Sequence, residues 1–296
     1  MNKPLRRFTK IVVAICFLST SILAHTGSGI AVDRLGQVYF LDTGSGLWRI
    51  DTQGKLTKLS GLLNHWLTID ASNRFARSPL PRGAWGEITR VSADPTLLIS
   101  TDYPITTGQD GNLYYPSRPP LRIMRMLPSG ESSVLAALPD SPAEGPLPHI
   151  NGITAGPNGS IYYTENYVIR RISAQGSVSI VATVPALVGG PSIPGTDQHP
   201  YLRGLAVDTN GVMYVADNGD ARVLRITPDG KMTTLVQTKS PWSPTAVALF
   251  GSDVYVLEFL HTVKDVRRDW LPRVRKISSD GKSKIIMTVD RMPGAR

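Results

Sequence analysis

Cysteine is almost absent from this 296-residue sequence, in which Cys16 is the only one. Since Cys16 lies in an apolar segment near the N-terminus, we expect the folded part to contain no disulfide and no thiolate metal ligand. The sequence also lacks the His-Glu-x-x-His pattern of zinc peptidases and the Gly-x-Ser-x-Gly turn of serine hydrolases. These absences exclude a disulfide scaffold and two common hydrolase classes, so the fold must depend on its own hydrophobic core.

Long hydrophobic runs are also absent, apart from residues 11–24. This run is shorter than the roughly 20 residues of a membrane-spanning helix, and it follows a basic segment, which together are typical of a secretory signal peptide. We therefore predict a signal peptide over 1–24, a single domain over 25–296, and a secreted or periplasmic protein without stable membrane insertion after cleavage. An uncleaved N-terminal anchor is the alternative. The basic residues of this segment are Lys3, Arg6, Arg7 and Lys10.

The formal net charge of +9 does not by itself indicate a nucleic-acid partner. The densest basic stretch, residues 267–276, also contains Asp269 and follows Asp265. Export would further separate the chain from nucleic acid. We expect no nucleic-acid binding.

Glycine and proline are abundant, with 27 and 23 residues, and they punctuate the whole chain. This distribution favours many short strands joined by tight turns. The clearest unit starts with the apolar strand 204–208 and continues through a turn at Asn210-Gly211 to a strand over 213–217. A third strand over 223–226 and a fourth over 234–236 follow, separated by Pro228-Asp229-Gly230. Each unit therefore reads as a four-stranded antiparallel sheet.

Two markers recur six times and define the number of units. An aromatic residue of the second strand occurs at Tyr39, Phe75, Tyr114, Tyr162, Tyr214 and Tyr255. A basic residue of the third strand occurs at Arg49, Arg90, Arg125, Arg171, Arg225 and Lys276. Five residues after each basic residue stands Gly54, Pro95, Gly130, Gly176, Gly230 or Gly281. One such sheet cannot bury both of its faces, whereas six stacked around an axis can. The predicted fold is therefore all-β: a six-bladed β-propeller of four-stranded antiparallel blades.

The segments 29–42 and 204–217 carry this pattern most fully, and they resemble the NHL repeat. More distantly, the chain is similar to the regucalcin/gluconolactonase family of six-bladed propellers. The resemblance extends over roughly residues 28–290. The resemblance implies a six-bladed propeller fold, whereas an activity depends on the residues of a particular binding or catalytic site.

The long connections of the repeat are predicted to gather on one face, where binding residues tend to concentrate. They are 76–86, 138–150, 184–203 and 259–272. The residues that enter the inner strands from this face should surround the mouth of the central channel. The ligand-binding candidates at or near this register are His65, Asn151, Arg203, His149 and His199, with Ser28 and Pro244 at equivalent positions. In the alternative interpretation, the histidines are exposed or hydrogen-bonded loop residues and Asn151 satisfies backbone groups at a turn.

The gluconolactonase-like resemblance implies a divalent cation at this mouth, held by a Glu before the first blade, by Asn residues and by an Asp before a later inner strand. Asn151-Gly152 matches one of the Asn positions, but Ser28 stands at the Glu position and Arg203 at the Asp position. A three-histidine zinc site, which occurs in some NHL propellers, would find only His65 in register. We therefore expect no metal or other cofactor, with Ca²⁺ or Zn²⁺ at Asn151 and His65 as the alternative.

These observations favour a propeller that binds a small molecule, a glycan or a protein through its long-loop face. Arg203 would favour an anionic group in the ligand. The alternative is a metal-dependent lactonase or esterase of the gluconolactonase-like class. Whether the chain catalyses a reaction stays open at this point.

Overall fold

The computed structural model describes residues 28–61, 64–82, 87–101, 103–118, 120–138, 150–187, 201–260 and 271–289. These residues form six separate antiparallel sheets. The 3₁₀ turn Pro157–Gly159 is the one helical element in this part of the chain. The inner strand of each sheet contacts the inner strand of the next, and the last contacts the first, so the ring is closed. The predicted all-β, six-bladed propeller is confirmed.

Blades 1, 3, 4, 5 and 6 have four strands each, hydrogen-bonded in chain order from the channel outwards, whereas three strands are described for blade 2. Blade 1 contains β1 (Ile30–Val32), β2 (Val38–Asp42), β3 (Gly46–Ile50) and β4 (Leu56–Ser60). Blade 2 contains β5 (Trp66–Asp70), β6 (Ile88–Val91) and β7 (Thr96–Ser100). Blade 3 contains β8 (Thr106–Thr107), β9 (Leu113–Ser117), β10 (Arg122–Met126) and β11 (Ser132–Ala137). Blade 4 contains β12 (Ile150–Ala155), β13 (Ile161–Glu165), β14 (Val168–Ile172) and β15 (Val178–Thr183). Blade 5 contains β16 (Leu202–Val207), β17 (Met213–Asp217), β18 (Arg222–Ile226) and β19 (Met232–Gln237). Blade 6 contains β20 (Trp242–Phe250), β21 (Asp253–Leu260), β22 (Pro272–Ile277) and β23 (Ser283–Thr288).

The aromatic and basic markers of the repeat are direct cross-strand partners in five blades. On neighbouring second and third strands they stand opposite each other, where side chains are close enough to interact. The pairs are Tyr39 with Arg49, Tyr114 with Arg125, Tyr162 with Arg171, Tyr214 with Arg225 and Tyr255 with Lys276. In blade 6 the pair also forms a cation–π contact, with the Lys276 ammonium 5.5 Å from the Tyr255 ring centre. The sequence spacing therefore reflects a real sheet register.

Blade 2 departs from the predicted register. Its described strands are ordered β5-β7-β6, so the last strand in the chain lies next to the inner one. Arg90 pairs with Leu98 and not with an aromatic residue. Phe75 lies outside any strand, in a turn in which its backbone N–H donates to Asp70 Oδ2 at 2.6 Å. The placement of Phe75 in a second strand is therefore wrong.

The segment after β5 also corrects the predicted face of one connection. Both β5 and β6 run antiparallel to β7, so they are parallel to each other, and the chain must return along the blade between them. On this path Ser78 Oγ donates to Pro128 O, in the turn between the third and fourth strands of blade 3. The start of the 76–86 connection thus lies at the end of the propeller opposite the predicted long-loop face.

Asp side chains close the turns between first and second strands. Asp33 Oδ1 accepts the backbone N–H groups of Leu35 and Gln37, each at 2.9 Å. Asp208 Oδ1 accepts two N–H groups of its own turn in the same way, at 2.8 and 2.9 Å. An Asp that bonds its own backbone in this manner stabilises a tight turn. These turns keep the first two strands in register.

The core consists of six hydrophobic clusters, one at each junction between neighbouring blades. The cluster that closes the ring brings Ile30 and Phe40 of blade 1 against Leu257 and Phe259 of blade 6. Phe75 belongs to the cluster between blades 2 and 3, where it is fully buried. Burial of apolar surface between blades is thus what holds the ring together.

Candidate functional site

The six inner strands surround a central channel, which contains a cavity of about 540 Å³. Each inner strand contributes one apolar residue at the equivalent position of the cavity wall, namely Ile30, Leu67, Ile105, Ile153, Leu205 and Val247. The residue two positions before each of these lies at one end of the channel, here called the mouth. By this register the mouth positions are Ser28, His65, Tyr103, Asn151, Arg203 and Thr245. Hydrogen bonds connect Ser28 directly to His65 and to Arg203. Cross-strand pairing makes Thr245, and not the predicted Pro244, the blade 6 equivalent of Asn151 and Arg203. Pro244 pairs with Glu258 in the same way as Ile150 pairs with Glu165 and Leu202 with Asp217.

Arg203 is a buried cation that connects two blades across the mouth. Its side chain is only 6% exposed, and its Nε–H donates to Ser28 Oγ at 3.1 Å, from blade 5 to blade 1. Its carbonyl oxygen accepts the hydroxyl of Thr164 at 2.7 Å, which fixes the backbone of the strand. Burial lowers the pKa of Arg203 below that of a free guanidinium. Because guanidinium titrates so far above neutral pH, the group stays charged.

Asn151 lies beside the strand that carries Arg203. Its Nδ2 donates to Leu202 O at 3.0 Å, and its Oδ1 accepts the Tyr201 hydroxyl at 3.2 Å. The Trp66 indole N–H of blade 2 reaches the Asn151 carbonyl at 3.5 Å. Asn151 therefore satisfies a backbone carbonyl group, as the alternative interpretation predicted. Its contacts also connect blade 4 with blades 5 and 2 at the mouth.

His65 is buried and held in one tautomer. Its Nδ1 lies 2.7 Å from Thr101 O, and since a carbonyl only accepts, Nδ1 carries a proton. The ring packs edge-on against Trp66, with centroids 5.5 Å apart. The His65 carbonyl accepts the Ser28 N–H at 2.8 Å, which links blades 1 and 2. His65 is thus a buried, hydrogen-bonded residue, as one half of the alternative interpretation predicted, and not a solvent-exposed one.

Of the five predicted candidates, the structure brings His65, Asn151 and Arg203 to the same end of the channel. His149 and His199 lie outside the described residues. Sequence reasoning missed Trp66 and Tyr201, which hydrogen-bond to Asn151 from positions far away in the chain. The only available signal was their position, since each stands within two residues of a candidate.

The turn between β17 and β18 anchors the connection that leads to Arg203. The Asn218 N–H donates to Tyr201 O at 2.9 Å, and Asp220 Oδ2 accepts the Leu187 N–H at 2.9 Å. The Asn218 side chain also donates to Ser243 Oγ at 2.7 Å, at the start of the blade 6 inner strand. One turn therefore positions both ends of the long connection of blade 5.

The acidic residues at the ends of second strands serve the scaffold. Asp217 Oδ2 accepts Arg222 Nε–H at 2.8 Å, and Glu258 accepts Nε–H groups of Arg273 and Arg275, each at 2.5 Å. Burial raises the pKa of Asp217, against the opposing effect of Arg222. Carboxylates held by arginines in this way are already neutralised, so they are poor candidates for metal ligands.

The mouth residues do not fit a divalent cation. The Arg203 guanidinium would repel a metal ion beside it, and its hydrogen-bond partner Ser28 contributes a hydroxyl where a carboxylate would be needed. Among the residues that the structure describes, no three His, Cys, Asp or Glu side chains come together as a possible metal cluster. The same part of the chain contains no helix long and apolar enough to cross a membrane.

Comparison with known families gives one match, and it includes part of this site. Residues 143–257 match the model of the SMP-30/Gluconolactonase/LRE-like region, a segment that contains Asn151 and Arg203. The resemblance to gluconolactonase-like propellers is confirmed over this segment. No curated protein matches the chain. The assignment of the repeat to the NHL type stays a prediction.

Solved structures with a similar fold include two lyases and a lactonase. Virginiamycin B lyase from Staphylococcus aureus is 19% identical, with a TM-score of 0.52, and the match covers 88% of this chain and 84% of that one. A streptogramin B lyase is 16% identical, with a TM-score of 0.53 and coverages of 92% and 86%. A gluconolactonase from Xanthomonas campestris is 13% identical, with a TM-score of 0.53 and coverages of 79% and 84%. At these identities the likeness shows the fold alone.

Proposed function

We propose that this gluconolactonase-like propeller binds a small molecule with an anionic group at the mouth of its channel. The observation that carries the proposal is the buried guanidinium of Arg203, which extends from blade 5 to Ser28 of blade 1. Because guanidinium has five N–H donors, one group can serve both protein and ligand acceptors. A carboxylate or phosphate is the partner whose geometry fits this fork best.

The surrounding side chains would orient such a ligand. Tyr201 and Asn151 supply a hydroxyl and an amide next to Arg203, and His65 adds an imidazole ring that is held through its Nδ1. Ser28, the hydrogen-bond partner of Arg203, lines the channel cavity of about 540 Å³, a volume within the roughly 300–1,000 Å³ range of small-molecule sites. A glycan or a protein segment could present the same anionic group, so these are outcomes of the test.

The test is a titration with gluconate, a sugar acid, and with the uncharged methyl glucoside as the matched ligand control. We expect gluconate to bind more tightly than the glucoside. R203Q should weaken gluconate binding roughly ten- to hundred-fold, because a hydrogen bond to a charged group contributes about 1.5–3 kcal/mol. R225Q is the matched protein control, since Arg225 lies in the third strand of the same blade. H65A should also weaken binding.

The outcomes are measured by calorimetry, with folding checked by circular dichroism. Equal affinity for gluconate in the wild type and R203Q would refute Arg203 as the anion site. If only an acidic glycan or protein bound, and R203Q abolished this, the site would stand and the ligand class would change. Loss of binding in R225Q as well would indicate a general charge effect.

A second candidate function is lactone hydrolysis, favoured by the family match over residues 143–257. The activity would release gluconate from gluconolactone, so substrate and probe are related. The resemblance of this chain to the gluconolactonase-like family implies a divalent cation, whereas the residues at its mouth do not fit one. Hydrolysis of gluconolactone above the spontaneous rate, abolished by EDTA and restored by Ca²⁺ or Zn²⁺, would favour this candidate over a binding protein.

Export to the periplasm or the medium is part of the proposal. It is supported by the basic and apolar segments of residues 1–24. Intact-mass measurement of the protein from a bacterial periplasm should show a chain that begins near residue 25. A full-length chain confined to the cytoplasm would contradict export.

A further inference from the structure

We infer that Arg203 takes the place of a divalent cation at the mouth, so that reversing the charge at two contacting positions would create a cation site. This inference concerns the charge of the mouth and holds whether or not gluconate is the ligand. Residue 203 would then decide whether the mouth accepts a cation or an anion.

The two positions concerned are in direct contact. Arg203 Nε lies 3.1 Å from Ser28 Oγ, although the residues are 175 positions apart in the chain. Oxygen ligands lie 2.3–2.6 Å from Ca²⁺, so two ligands of one ion are at most about 5 Å apart. Side chains that begin at these positions can therefore reach one ion together.

Asn151 supplies a third oxygen on the same side. Its Nδ2 donates to Leu202 O, next to Arg203, so the amide is held against the strand that carries the guanidinium. The close approach of the two strands reinforces this, because a Cβ added at Gly152 would lie 2.6 Å from Arg203 O. Position 203 therefore neighbours both Ser28 and Asn151, and its charge determines which ion can be held there.

The experiment compares three proteins in thermal melts with and without millimolar Ca²⁺, and again with Zn²⁺. They are the wild type, the charge-reversed variant S28E/R203D and the neutral control S28Q/R203N, which has side chains of the same size without charge. Bound metal is measured by elemental analysis after dialysis. Each result is expressed relative to the neutral control, so weak binding elsewhere on the surface cancels.

We expect the charge-reversed variant to gain about one equivalent of metal and a raised Tm, because a ligand that binds only the folded state stabilises it. The wild type should match the neutral control. A cation effect in the wild type beyond that control would overturn the inference, because Arg203 would then not exclude the ion. No effect in the charge-reversed variant would overturn it as well, because the positions would not converge as described.

If the charge-reversed variant fails to fold without metal, R203D alone is measured against R203N. It keeps the Ser28 hydroxyl as a ligand and introduces one carboxylate. We expect a smaller Ca²⁺-dependent rise in Tm for R203D than for the double variant, and none for R203N. No difference between R203D and R203N would overturn the inference.

Discussion

Substituting Gly152 by alanine should force apart the inner strands of blades 4 and 5. The added Cβ would lie 2.6 Å from Arg203 O and 3.0 Å from the Gly204 Cα. Both atoms belong to backbone, so no flexible side chain can move aside. The clash therefore has to be relieved by a shift of β16, the strand that carries Arg203.

The size of the effect follows from the kind of contact. Overpacking a well-packed interior typically costs about 1–3 kcal/mol, and a contact with rigid backbone belongs at the upper end. For a domain of this size each kcal/mol lowers Tm by roughly 2–4 °C. We therefore expect G152A to lower Tm by roughly 4–12 °C and to weaken gluconate binding at Arg203.

The assay is thermal unfolding of G152A beside G61A, with calorimetric titration of both. An added Cβ at Gly61 meets no atom within 4 Å, so G61A should match or slightly exceed the stability of the wild type. Equal Tm values for G152A and G61A would refute the close approach of the two strands. A lower Tm with unchanged gluconate affinity would instead separate the packing of this junction from the site.

Three further predictions test the scaffold. F75A should lower the free energy of unfolding in urea by about 3–5 kcal/mol, because Phe75 is fully buried between blades. F250A, at a site that is 37% exposed, should lower it far less. Similar losses in the two variants would contradict the position of Phe75 in blade 2. R222M should lower the free energy of unfolding by about 3–5 kcal/mol, because it leaves the buried carboxylate of Asp217 without its arginine partner. An unchanged free energy of unfolding would show that the ion pair contributes nothing to stability. Burial and a neighbouring aspartate raise the pKa of Tyr39 from 10.0 to about 12. Its neutral form therefore stabilises the fold fully below about pH 10, and this stability is lost as pH rises towards about 12. Y39F should accordingly show a shallower fall in Tm over that range than the wild type, and parallel curves would contradict the shift.

The ring of blades could be predicted from the sequence because its signals are local. Each Tyr–Arg marker pair lies within two strands joined by a short turn, so its spacing reports the sheet register directly. Blade 2 could not be predicted in this way. Phe75 and Arg90 satisfy the spacing, but the aromatic ring fills a junction between blades, and the order β5-β7-β6 depends on pairing across a long segment.

The site was predictable only in its outline. His65, Asn151 and Arg203 could be placed at the mouth because each lies at or just before the start of an inner strand. The contacts that define the site are non-local, such as Arg203 with Ser28 and Trp66 with Asn151. Contacts of this kind connect blades that are far apart in sequence, and no periodic pattern encodes them.

The central claim is that Arg203 makes the mouth of the channel an anion site. Crystals of the wild type soaked in 4-bromobenzoate test it most directly, because its aryl bromine gives an anomalous signal without alkylating side chains and the probe carries a single carboxylate. The account predicts a bromine peak at the mouth, with a carboxylate oxygen about 2.7–3.2 Å from the Arg203 guanidinium, and its loss in R203Q. Bromine peaks only at other arginines, or an unchanged mouth peak in R203Q, would contradict it.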